Sequence, residues 1–71
     1  MNQLPSFPII LQSPMRDGFQ FFRRINADLT VESKTLGGEW EPHDPPKLTM
    51  GLPNYLYHMT HRVKWTIVSE A

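Results

Sequence analysis

Seventy-one residues make one domain with little room for a core, and the absence of cysteine excludes disulfide staples and cysteine-ligated zinc. Seven Lys plus Arg balance seven Asp plus Glu, which argues against a generic polyanion binder whose affinity comes from neutralising phosphates. A domain this small buries only about 60% of the surface its unfolded chain exposes, so self-association or docking on a partner is expected.

Residues 1–15 read as an extended arm. Pro5, Pro8 and Pro14 stand among Leu4, Phe7, Ile9, Ile10 and Leu11. Prolines at that spacing forbid a helix and push their predecessors to extended conformations. Ile9 to Gln12 is expected to pair as a short edge strand, with Phe7 and Ile9 covering the domain core or packing on another chain. The apolar run Phe7 to Leu11 is far below the roughly 20 residues that span a bilayer. It has no basic segment before it and no small-residue cleavage pattern after it, so a cytoplasmic location is expected.

Residues 16–71 read as a single small antiparallel β domain. Arg16-Asp17-Gly18 is a turn, with Gly supplying positive φ. From Phe19 the chain alternates. Phe19, Phe21, Ile25, Ala27, Leu29 and Val31 form the apolar phase; Gln20, Arg24, Asn26, Asp28, Thr30 and Glu32 form the polar one. Phe22 and Arg23 break the pattern. Strands average about five or six residues, so two strands separated by a turn at Ile25-Asn26-Ala27-Asp28 fit better than one long one. Leu36-Gly37-Gly38-Glu39 is a turn by composition. Glu39-Trp40-Glu41 is a brief strand or an anchor that inserts Trp40 in the core. Pro42-His43-Asp44-Pro45-Pro46 is expected to be an irregular loop, because proline removes donors and fixes φ. Leu48 to Met50 reads as extended, and Gly51-Leu52-Pro53-Asn54 as a turn.

Tyr55 to Ser69 carries the clearest pattern. Tyr55, Tyr57, Met59, His61, Val63, Trp65 and Ile67 alternate with Leu56, His58, Thr60, Arg62, Lys64, Thr66 and Val68. One set is mostly apolar, as in a half-buried strand. A competing reading starts a helix at Pro53 and covers Asn54 to His61, with Leu56, Met59 and Thr60 inward. The strand is preferred because Tyr, His and Thr are mediocre helix formers. The resulting fold class is mainly β, with a small α+β variant: a compact antiparallel sheet of three to five strands with a proline-rich extended N-terminal arm. Its expected core is Phe19, Phe21, Ile25, Leu29, Val31, Val63, Trp65 and Ile67.

No motif carries chemistry. On a strand, His58 and His61 point to opposite faces and cannot share a metal. There is no HExxH, nucleophile elbow, P-loop or dinucleotide fingerprint. Hence no catalytic residues, metal or cofactor are expected, and the chain is not read as an enzyme.

The charge is segregated. Between positions 28 and 44, Asp28, Glu32, Glu39, Glu41 and Asp44 face Lys34 alone, a local net charge of −4. Two binding readings follow. In the first, a protein partner is held by the aromatic anchors Trp40, Tyr55 and Tyr57 and the acids Glu39, Glu41 and Asp44. A small accessory or regulatory protein of bacteria or phages, inhibitors included, fits that reading, as does a homo-oligomer. In the second, Arg24, Arg62 and Lys64 form a basic patch on a nucleic-acid-binding sheet beside aromatics such as Phe22.

Overall fold

The computed structural model describes residues 7–68. Leu4 and Pro5 of the expected arm, and the end of the chain from Ser69, lie outside the described residues.

Two successive hairpins build the centre of the sheet. Strand β1 (Ile9–Gln12) pairs antiparallel with β2 (Phe21–Ile25), setting Ile9 opposite Ile25 and Gln12 opposite Phe22. Their connection turns at Asp17 and Gly18, whose φ values of 54° and 81° are those of a primed hairpin turn, and Arg16 and Phe19 bridge across it. β2 then pairs antiparallel with β3 (Thr30–Thr35), Ile25 opposite Val31 and Phe21 opposite Thr35. The intervening turn closes with Leu29 N donating to Asn26 O at 2.8 Å. Asp28 Oδ1 secures it by accepting from Thr30 Oγ1 at 2.6 Å and Thr30 N at 3.1 Å. This is the break between two strands that the alternation anticipates.

β4 (Glu41–Lys47) lies outside β3, and β5 (Thr66–Ile67) outside β1. The strand order is β4-β3-β2-β1-β5, with every neighbouring pair antiparallel. The fold class is therefore the expected one: mainly β, five antiparallel strands in one open sheet, with one short helix.

The C-terminal third departs from its expected extended conformation. Helix α1 (Leu52–Tyr57) continues as a π-helical turn, His58–Arg62, and only Thr66–Ile67 is strand. The competing helical reading is the one adopted, so Gly51-Leu52-Pro53-Asn54 opens a helix and is not a turn. Pro53 sits in the first turn, where its missing N–H is harmless. Leu52, Leu56 and Met59 recur four and three residues apart, and all three are buried. Burying that stripe on the sheet outweighs the weak helix propensity of its neighbours.

Two further elements differ. The proline-rich segment is not a loop but part of edge strand β4, a position in a sheet that tolerates proline. Its register with β3 shifts between Thr30 and Glu32. Ile9–Gln12 is a strand as expected, but β5 covers its flank, so it is interior and not an edge. Leu48 to Met50 bends instead of extending.

Ile9, Leu11, Ile25 and Val31 from the sheet and Leu52, Leu56 and Met59 from the helical segment form the core, with Leu29, Trp65 and Ile67 at its margin. The expected core is thus only partly right. Phe19, Phe21 and Val63 are 64%, 49% and 39% exposed. The reason is the length of the helix. Cross-strand partners share a face, so Phe21 and Arg23 lie on the same side as Ile9, Leu11, Ile25 and Val31. The helical segment packs on the Ile9–Ile25–Val31 end of that side and leaves the Phe21 end open.

Candidate functional site

The uncovered end of the helix-bearing face forms two adjoining grooves. One, of about 530 Å³, is lined by Phe21, Arg23, Ser33, Glu41, His43 and Trp65 among others. The second, of about 480 Å³, is lined by Pro14, Arg16, Phe19, Phe21, Val63 and Trp65 among others. Phe21 and Trp65 belong to both and form the ridge between them. Each volume lies in the range of ligand-sized clefts.

The ridge is built by local structure. Phe21 opens β2, where its backbone is held by Ser13: Phe21 N donates to Ser13 Oγ at 2.8 Å, and Ser13 N donates to Phe21 O at 2.9 Å. Trp65 follows the helical segment. Lys64 adopts φ 72°, reversing the chain, and Trp65 N donates back to Met59 O at 2.7 Å. That reversal throws the indole over β2.

Arg23 forms the floor of the first groove. It occupies the inward phase of β2, on the side that carries Ile9, Leu11, Ile25 and Val31 of the core. Its Nη1 donates to Tyr55 Oη at 2.8 Å and approaches Met59 Sδ at 3.8 Å, and its guanidinium carbon lies 5.0 Å from the Trp65 ring centroid. Every one of these partners is uncharged. Among the described residues Arg23 makes no ion pair within 4.0 Å. On the far wall, burial first and the Arg23 charge second hold His43 below its ordinary pKa, against the opposing pull of Asp44.

The opposite face of the sheet is differently organised. The Arg24 guanidinium carbon lies 4.5 Å from the Trp40 ring centroid, and Lys34 Nζ lies 5.5 Å from the centroids of both Trp40 and Phe22. Arg24 also pairs with Glu32 at 2.8 Å. Hydrogen bonds from Asn26 and then Arg24 keep the Glu32 carboxyl below its usual pKa, and Thr30 does the same for Asp28.

The residues singled out from sequence are therefore distributed over several surfaces. Glu39 and Glu41 line the first groove. Trp40 is turned to the opposite face between Arg24 and Lys34, and is neither a core anchor nor a groove residue. Asp44 is exposed on β4. Tyr55 supports Arg23 from beneath, while Tyr57 is exposed and stacks on His61 with ring centroids 4.3 Å apart. Arg24 is on β2, whereas exposed Arg62 ends the π-helical turn and exposed Lys64 follows it. The expected sheet patch of these three bases does not form, because Arg62 and Lys64 precede β5 and are not on a strand, and β1 separates β5 from β2.

His58 and His61 lie on a helical segment instead of opposite faces of a strand, and both are exposed. Among the described residues no group of three or more His, Cys, Asp or Glu is placed to hold a metal ion. No helix there is long and apolar enough to cross a membrane.

Sequence reasoning missed the grooves because it assigned Phe19, Phe21, Val63 and Trp65 to the core. The available signal was Arg23: a cation in the apolar phase marks a face that is not wholly sealed. Comparison with protein-family models, with curated proteins and with solved structures finds no match to this chain.

Proposed function

We propose that this chain is a noncatalytic, cytoplasmic protein-interaction module that receives a segment of a partner in the joined grooves around Phe21 and Trp65. The observation that carries this reading is the grouping of exposed apolar side chains. Met15, Phe19, Phe21 and Val63 are each more than a third exposed, and the last three line the grooves. Clustered exposed apolar residues mark interaction surfaces, whereas scattered ones do not. The acids Glu39 and Glu41 rim the same surface, so part of the acidic segment contributes to it. Accessory or inhibitor-type regulation of a partner is the role such a module would serve.

Selection of displayed random peptides on the immobilised chain tests this reading. Peptides that bind the native chain but not Phe21→Ser support it; Phe21 is exposed, so that variant keeps its core. A selection that yields no binders, or binders indifferent to Phe21, overturns it.

A second reading, a nucleic-acid platform, draws on the opposite face, where Phe22 and Trp40 stand beside Arg24 and Lys34. It ranks behind the first. Both rings there already carry a cation of this chain, and Glu32 neutralises Arg24.

A further inference from the structure

We infer that Arg23 is a carboxylate-receiving anchor, so that the partner segment seated in the groove presents an acidic side chain flanked by apolar ones. This rests on the groove being a protein-binding surface and adds the chemistry of its occupant.

The Arg23 guanidinium is only partly engaged within the chain. Arg carries five N–H donors in a planar fork suited to bidentate carboxylates. Only Nη1 of Arg23 is engaged, by Tyr55 Oη and Met59 Sδ. Its Nε and Nη2 have no acceptor among the described residues. No buried side-chain nitrogen or oxygen among them lacks a partner, so these donors are open to the groove. The guanidinium is half-buried, fixed between a phenol, a thioether and an indole, and no carboxylate among the described residues reaches it. A fixed, partly desolvated guanidinium with free donors accepts an external carboxylate at low entropic cost.

The flanks define the rest of the ligand. Phe21 and Trp65 stand beside the guanidinium and call for apolar neighbours of the acid. Register places Arg23 opposite Ser33 and Ser33 opposite Glu41, so Glu41 stands two strands away, about 10 Å across the same face. Glu39 and Glu41 on that wall repel a second negative charge. The groove therefore suits one isolated acid and opposes a polyanion.

The test titrates the full chain with acetyl-Leu-Asp-Leu-amide and its Asn counterpart, following the Trp65 indole and Arg23 Nε–H signals by NMR. The Asp peptide is expected to bind at least roughly tenfold more tightly, the scale of a charge-assisted hydrogen bond. Arg23→Gln abolishes the difference. Because Arg23 also supports Tyr55, Glu41→Lys on the exposed edge strand serves as the second variant; it widens the preference for the Asp peptide over the Asn peptide. Equal affinities for the two peptides, no response at Trp65, or equal displacement by a short oligothymidylate overturns the inference. Displayed peptides that depend on Phe21 yet carry no acid also overturn it, and leave the groove reading standing.

Discussion

Arg23 on β2 lies over the ring of Trp65 ahead of β5, the guanidinium carbon 5.0 Å from the indole centroid. β1 lies between their strands in the sheet, so the contact passes over Leu11, the β1 residue opposite both Arg23 and Ile67. It caps the core where the helix ends and begins the groove. A cation over an indole contributes about 0.5–1 kcal/mol at exposed sites, more when desolvated. The same pair thus closes one surface and shapes the other.

The division between core and groove is measurable by denaturation. Leu11 is fully buried under this contact, whereas Phe19 is 64% exposed. Leu11→Ala is expected to cost about 2–5 kcal/mol, enough to unfold much of a domain this size. Phe19→Ala is expected to stay within about 0.5 kcal/mol of the native chain. A Phe19 variant as unstable as the Leu11 variant would restore the sequence-derived core.

Lys64 holds φ 72° at the exit of the helical segment, in the region that L side chains rarely adopt. Its side chain is exposed. Lys64→Gly removes the strain between Cβ and backbone but adds freedom to the unfolded chain. The expected net gain is about 0.5–1 kcal/mol, read as a higher denaturation midpoint with unchanged slope. A loss of stability would show that the lysine has a role beyond the turn.

Acidification acts in two stages. His43 is held below its ordinary 6.5 by burial and Arg23, so its folded-state pKa is depressed. Above 6.5 it is neutral in both states; below that value the unfolded chain takes the proton first, and stability falls as pH drops through the folded pKa. Asp28 and Glu32 are also depressed, so their stabilisation is present above the reference values of 3.8 and 4.5 and lost as pH falls below them. Thermal melts of His43→Gln between about pH 7 and pH 5 should be flatter than those of the native chain. Parallel curves would remove His43 from this account.

The edge of the sheet is guarded by composition. Pro42, Pro45 and Pro46 leave only four of the seven residues of the outer strand β4 with a backbone N–H, and a strand poor in donors is a poor template for another. Replacing all three by Thr is expected to raise the concentration-dependent mass seen by light scattering. A triple variant that associates no more than the native chain would show that something else protects this edge.

Some of this was legible locally. Alternation from Phe19 to Glu32 gave two strands and their turn, because an antiparallel hairpin is specified by neighbours in sequence. Arg16-Asp17-Gly18 gave the first turn for the same reason. Tyr55 to His61 was ambiguous, since its apolar residues satisfy a period of two and, with Leu52, a helical period as well. Pro42 to Pro46 misled because proline argues against a strand in general but not at an edge, and edge position depends on strand order.

By itself the sequence determined the class of the fold and the turns of the hairpins at its centre, since those depend on residues a few positions apart. The tertiary structure alone decided which apolar side chains are buried. A helical stretch ending at Arg62 covers one half of the sheet face and leaves Phe21 and Arg23 to the groove. Coverage depends on where distant segments dock, and no local pattern encodes it.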